Sequence, residues 1–359
     1  MLYICFFAAL ISFFISYSSV PLIIKNSKFF DAIDRKELRQ VELVKVSRLG
    51  GLGIFLGMSI TLLIIIFFAN NFSILENKQF NLSLYLIFSI IFFLLGFLDD
   101  LKPLSPIFRL FFQLTISSTI WLSGIGIKAI DFSFLYSNFS EFTIPNFISL
   151  ILTLLWISGI VNAINWIDGI DGLAISFSII NFVFLFIICF FNNHIELAII
   201  SSTLFGACLG FFPKNIRPAK IYMGDGGAYL LGLNLALISM LSTTYNSGWG
   251  DSFSFITIKP EITLLILCIP VLDMCLVIFL RLLSRDSPVS PDRKHLHHRL
   301  KRIGFQTNEI VFLISSLAAF NSSLALIFLE IQYGKFLIII SLISIILIIL
   351  KKKHNSLIE

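Results

Sequence analysis

The chain has 359 residues, 57% of them hydrophobic and only 13% charged, with a mean hydropathy of +0.95. That composition excludes the two or three soluble domains which the length alone suggests. The net charge of +5 could suit nucleic acid or anionic lipid, but no nucleic-acid recognition fold accompanies it, and topology signals and anionic lipid headgroups account for it better.

Apolar stretches long enough to cross a bilayer predict eleven spans, at roughly 2–24, 50–69, 81–98, 107–124, 147–164, 172–191, 195–213, 227–245, 261–280, 310–329 and 335–350. None alternates like a barrel strand, and backbone groups in lipid must bond internally, so all are predicted to be helices. The expected fold is an all-α, polytopic transmembrane bundle forming a single domain over residues 1–359, without a soluble domain, linker or internal repeat. The first span lacks a positive n-region, and Lys25 and Lys28 follow it, so it reads as a retained helix and not a signal peptide. The last is short, and Lys335 and Lys351 to Lys353 could snorkel to its interfaces. The five cysteines all fall within spans without a CxxC pair, as packing residues do. When connecting segments are assigned alternately, 22 of the 26 basic residues fall on one side, leaving Lys78, Lys128, Lys259 and Lys335 on the other. The basic side is then cytoplasmic, with the N-terminus outside and the C-terminus inside.

The unusual polar residues collect on that basic side. In the loop before span two, Lys45 and Arg48 precede Gly50 and Gly51 and could reach an anionic ligand, with Asp31 and Asp34 nearby. GFLDDL closes span three with Asp99 and Asp100, adjacent carboxylates that repel, so at least one needs a cation or a raised pKa unless the pair is a solvated helix end. NAINWIDGIDGL, residues 162–173, joins spans five and six. Asn162 and Asn165 share a face there, while Gly169 and Gly172 let the chain leave the helix so that amides and the Asp168 and Asp171 carboxylates converge. Hard oxygens of this kind suit Mg²⁺; the alternative is a helix cap and a turn. IYMGDGGAYL introduces span eight, and its glycine-flanked Asp225 could hold a metal against phosphate at a helix start or serve as an ordinary cap. Asp273, after Pro270 in span nine, reads as a structural carboxylate near a helix break. SPDRKHLHHRL gathers His295, His297 and His298 with Arg293, Lys294 and Arg299, a cationic pocket for phosphate or a solvated basic loop, but not an HExxH zinc site.

In this order and on one side, Asp99–Asp100, Asn162-x-x-Asn165-x-x-Asp168-Gly169-x-Asp171-Gly172, Gly224–Asp225 and His295-x-His297–His298 resemble the polyprenyl-phosphate N-acetylhexosamine-1-phosphate transferase family. Arg48-x-Gly50–Gly51 is similar to its motif at the second span, although Val46 and Ser47 stand where the family often has prolines. Each motif is weak alone; the ordered set, reaching from about residue 31 to 300, is specific. HLHHRL is most like the branch that starts O-antigen, enterobacterial common antigen or teichoic acid.

The resemblance implies transfer of a sugar 1-phosphate, by default N-acetylglucosamine 1-phosphate, from a UDP-N-acetylhexosamine to undecaprenyl phosphate, with release of UMP. The site would lie at the cytoplasmic face of a bacterial inner membrane. Asn165 and Asp225 would hold Mg²⁺, or Mn²⁺ in its place. Asp99 would act as base or orient the lipid phosphate, with Asp100 beside it and Asp168 in the same catalytic set. Asp171 and Gly169 would contact the nucleoside and Tyr222 would stack on uracil, while Arg48, His295, His297, His298 and Arg299 would bind phosphates or the sugar. The donor sugar, the polymer initiated and homodimerisation are left open. The rivals are the phospho-MurNAc-pentapeptide transferase branch and, from other classes, a transporter or flippase, which would place its ionisable groups near mid-membrane, or a structural membrane subunit.

Overall fold

The structure, a computed structural model, describes residues 1–27, 46–72, 81–133, 142–243, 256–285, 287 and 294–358. Asp31, Asp34, Lys45 and Arg293 lie outside these residues. The first eight helices are α1 (Leu2–Asn26), α2 (Gly51–Phe72), α3 (Leu82–Leu101), α4 (Pro106–Leu122), α5 (Asn146–Ile167), α6 (Leu173–Phe191), α7 (Ile195–Asn215) and α8 (Gly224–Leu241). They are followed by α9 (Pro260–Ile266), α10 (Cys268–Leu283), the short α11 (Leu296–Arg302), α12 (Thr307–Phe328) and α13 (Tyr333–Ile358).

Each of the eleven expected spans is helical, and the protein is a polytopic all-α membrane protein. Nine of the described helices are long and apolar enough to cross a membrane. α4, expected as a span, has 17 residues, a rise of about 26 Å at 1.5 Å per residue, and is shorter than those nine. The span expected at 261–280 is not one straight helix: α9 and α10 meet at an 83° bend, and as a bent pair they make a tenth candidate span. Pro270 is placed in the first turn of α10, where a missing N–H costs no intrahelical bond.

α8 is the axis of the bundle. Every residue from Gly226 to Leu241 is buried, the mark of a helix surrounded by others, and α3, α5 and α2 pack around it. Buried amides and hydroxyls pair across helices in the bundle interior. Tyr85 on α3 donates to Asn234 on α8 at 2.5 Å, and Ser322 on α12 donates to Asn181 on α6 at 3.1 Å.

A small sheet went unforeseen. β1 (Ile127–Ile130) pairs antiparallel with β2 (Phe142–Thr143) and parallel with β3 (Ile256–Ile258). It caps the end of the bundle where α4 finishes and α5 begins. Lys128 and Lys259, two of the four basic residues assigned to the minority side, meet there, and Lys259 pairs with Asp131 at 3.9 Å. The opposite end carries the C-termini of α3 and α5 and the N-termini of α2, α6 and α8, and all of the polar motifs gather around it.

Candidate active site

The site starts from an exposed problem of backbone chemistry. The first amides of α8 have no intrahelical acceptor, and Asp100 at the end of α3 supplies one. Its Oδ1 accepts from Asp225 N–H at 2.8 Å and its Oδ2 from Gly226 N–H at 2.9 Å. Asp99, its neighbour, lies against the Asp225 carboxyl and is held from two other sides. It accepts from Leu104 N–H at 2.7 Å and from the Arg109 guanidinium at 2.6 Å. One cation thus faces Asp99 and one helix N-terminus faces Asp100.

α5 ends at Ile167 with Asp168 as its cap, and the chain turns through Gly172, at φ +79°, into α6. Asn165 donates its amide to Asp225 Oδ1, which leaves Asn165 Oδ1 without a protein partner among the described residues. Asp171 accepts from Ala219 N–H at 3.2 Å. The Arg48 loop runs beside the segment before α8: Tyr222 N–H donates to Ser47 O at 2.8 Å, and Gly50 N–H to Tyr222 O at 2.9 Å.

Together these pieces enclose a polar cavity of about 360 Å³, lined by Arg48, Asp100, Asn165, Asp168, Gly169, Asp171, Tyr222 and Asp225 among others. Arg109 reaches toward it from behind, 4.0 Å from Asp225 Oδ2. Burial pushes the Asp168 carboxyl up to about 7, with repulsion from Asp225 and Asp171 adding to it and Arg48 opposing.

Asp99, His295, His297, His298 and Arg299 do not line this cavity. His297 touches its wall: a Cβ at Gly169 would come within 2.5 Å of His297 Cε1 and closer to Nε2, so only glycine lets the ring pack there. Within the histidine segment, read as a cationic pocket or a solvated basic loop, one ring is not a cation. His297 is buried, and burial, with the neighbouring His298 and His295, lowers its pKa to about 4. It is neutral at cellular pH, and among the described residues neither ring nitrogen has a hydrogen-bond partner. Arg299 donates to Lys294 O at 2.7 Å.

A second correction concerns Asn162. Its amide donates to Gln113 Oε1 on α4 at 2.6 Å and to Ser158 O at 2.7 Å, so it ties α4 to α5 and does not face the cavity. Three residues separate it from Asn165, an offset of about 60° on a helix, enough to put the two amides against different neighbours.

Two cavity-side residues were not singled out from sequence. Arg109 looked like a topology charge, and its pairing with Asp99 depends on the turn between α3 and α4. Asn215, the last residue of α7, lines the cavity and donates to Ile221 O at 3.0 Å; its only signal was its place just before the glycine-rich segment.

The donor set of the cavity bears on a divalent cation. Among the described residues no group of three or more His, Cys, Asp or Glu side chains gathers as a ready-made metal site. One carboxylate, Asp225, stands beside the free carbonyl oxygen of Asn165. These fit Mg²⁺, which keeps several waters and completes its shell with substrate phosphate, and not an all-protein cage.

Residues 82–243 match the model of glycosyl transferase family 4. The chain is 30% identical over 317 residues to the decaprenyl-phosphate N-acetylglucosaminephosphotransferase of Mycobacterium leprae, covering 84% of this chain and 77% of that one. It is 29% identical over 310 residues to a probable undecaprenyl-phosphate N-acetylglucosaminyl 1-phosphate transferase of Bacillus subtilis, with 86% and 80% covered. Against the undecaprenyl-phosphate alpha-N-acetylglucosaminyl 1-phosphate transferase of Escherichia coli K12 it is 28% identical over 313 residues, with 84% and 78% covered.

Proposed function

This chain belongs to glycosyl transferase family 4, the polyprenyl-phosphate N-acetylhexosamine-1-phosphate transferases, and from that premise we propose that it moves N-acetylglucosamine 1-phosphate from UDP-N-acetylglucosamine to undecaprenyl phosphate. Being a transferase, it is neither the transporter nor the structural subunit that the composition alone allowed. The observation that carries the reading is the acid-and-amide cavity at one end of an otherwise apolar bundle, where a water-soluble and a lipid substrate can meet.

In this reading a phosphate oxygen of the lipid attacks the phosphorus that bears the sugar. The bond between that phosphorus and the bridging oxygen breaks, UMP leaves, and a lipid-linked diphosphate remains. Both reactants are anions, so the site must offset their repulsion. A Mg²⁺ ion held by Asp225 and Asn165 would supply charge neutralisation at the diphosphate. Arg48 adds positive charge from the cavity wall. Asp100 acts through structure, holding the first turn of α8 so that Asp225 faces Asn165. Asp99 fixes Arg109 at the edge of the site. Asp168 takes the proton that the acceptor phosphate carries. Asp171 and Gly169 face the nucleoside and Tyr222 stacks on uracil, with His295, His298 and Arg299 at the sugar side. The basic end of the bundle faces the cytoplasm of a bacterial inner membrane, with the N-terminus outside, and the product starts a surface glycan of the O-antigen, common-antigen or teichoic-acid type.

Membranes containing the protein are expected to release UMP from UDP-N-acetylglucosamine only when undecaprenyl phosphate and Mg²⁺ are both present. A donor panel including UDP-MurNAc-pentapeptide and 6-deoxy amino sugars identifies the sugar. No UMP with any donor would sink the reading, and turnover confined to the MurNAc donor would move the protein to the peptidoglycan branch. Gly169→Ala is expected to lower kcat/KM by roughly a hundredfold, since its Cβ displaces His297 from the cavity wall and sub-ångström misplacement is costly. Because Gly169 is on an exposed turn, the thermal unfolding midpoint should stay near wild type; activity within threefold of wild type would remove the Gly169–His297 contact from the mechanism.

A further inference from the structure

Asp273 is a buried carboxylate on α10 that the reaction above does not use. Both of its oxygens are committed to the histidine segment. Oδ2 is 2.8 Å from His295 Nδ1, and Oδ1 accepts from Leu296 N–H at 2.7 Å. A carboxylate only accepts, so Nδ1 carries a proton, and in the neutral ring Nε2 is then the bare nitrogen.

What His295 touches makes this pairing consequential. Its ring meets the edge of Trp166 with centroids 5.5 Å apart and stacks on His297 at 5.9 Å. Trp166 directly follows Asn165 and comes two residues before Asp168, so it anchors the end of α5 that forms one wall of the cavity. α10 grips that tryptophan a second time through Arg281, whose guanidinium lies 4.9 Å from the ring centroid. His297 in turn packs on Gly169. One carboxylate thereby begins α11, selects the ring tautomer of His295, and steadies the Asn165–Gly169 wall through two aromatic contacts.

We propose that Asp273 is the positioning residue of the histidine segment, fixing His295 as the Nδ1–H tautomer and through it the wall of the cavity. It touches no substrate and acts through His295. The kinetic arm of the test rests on the transferase reading; the spectroscopic arm does not.

Asp273→Asn keeps the size of the side chain and can still accept from Leu296 N–H. Its amide then presents N–H to His295, which favours the opposite tautomer. With nitrogen-15 labelled histidine in detergent-solubilised protein, and the His295 signal identified by its loss in His295→Gln, the wild type should show protonated Nδ1 and bare Nε2. Asp273→Asn should show the reverse. In parallel, Asp273→Asn should lower kcat/KM for the UDP-sugar about 10- to 100-fold, the usual cost of losing a carboxylate that orients a working histidine. Added to His295→Gln it should change activity by less than about twofold, because residues acting as one unit are not additive. An unchanged tautomer, wild-type activity in Asp273→Asn, or losses that multiply in the double variant would each overturn the proposal. If Asp273→Asn does not fold, the wild-type spectrum decides: a His295 protonated on Nε2 and bare on Nδ1 refutes it. Failure of the transferase reading would appear as no turnover in the wild type, with the tautomer result unaffected.

Discussion

Replacing Asp225 with asparagine is expected to lower kcat/KM by about a thousandfold, on the order of 4 kcal/mol of transition-state stabilisation, while leaving the protein folded. The substitution is nearly isosteric. Asn165 can still donate to the new side chain's Oδ1, as it does to the Asp225 carboxylate, and Asp100 still receives the amide of residue 225. The negative charge is what disappears, and with it the carboxylate that contacts the Asn165 side chain. The Oδ2 that lies 4.0 Å from Arg109 becomes an amide nitrogen facing a guanidinium, which adds a small repulsion. The concentration of Mg²⁺ needed for half-maximal UMP release should rise along with the loss of turnover. Thermal unfolding in detergent should move little. Turnover within tenfold of wild type would remove Asp225 from the metal site, whatever the donor sugar proves to be.

The helices and the motif-bearing residues were legible in sequence for different reasons. The spans are written as continuous apolar runs, and lipid leaves the backbone little alternative to a helix. Asp168, Gly169 and Asp171 lie within four residues of one another, so a single helix end brings them to the cavity without help from distant elements. The features that escaped depend on pairings across the chain. β1 and β3 are four and three residues long and lie more than a hundred residues apart, too short for any period to stand out from the neighbouring spans. The direction of Asn162 is set by Gln113 on another helix. Asp99 finds its cation in Arg109, ten residues on and across a helix turn. The neutrality of His297 is likewise a matter of burial, which a cluster of basic letters cannot reveal. Asp273 was legible as a structural carboxylate at a helix break, but its partner, 22 residues away, was not.

Gly224→Ala should be the most damaging small substitution at the site, lowering stability by roughly 2–4 kcal/mol and turnover at least a hundredfold. Gly224 is held at φ +74°, where an L side chain costs about 1–2 kcal/mol. An added Cβ would also lie 2.6 and 2.8 Å from the two Asp100 carboxylate oxygens, and closer still to the carbonyl oxygen of Arg48. Neither neighbour is free to yield. Asp100 is fixed by the two amides it caps, and the Arg48 loop is bonded on both sides of that carbonyl to Tyr222. Relief must therefore come from residue 224 itself, the first of α8, and its displacement carries Asp225 away from Asn165. The measurement pairs thermal unfolding in detergent with UMP release. Asp225→Asn should lose activity at nearly constant stability, whereas Gly224→Ala should lose both. A Gly224→Ala protein with wild-type unfolding temperature and turnover would show that the close approach of α3, the Arg48 loop and α8 is not what holds Asp225 in place.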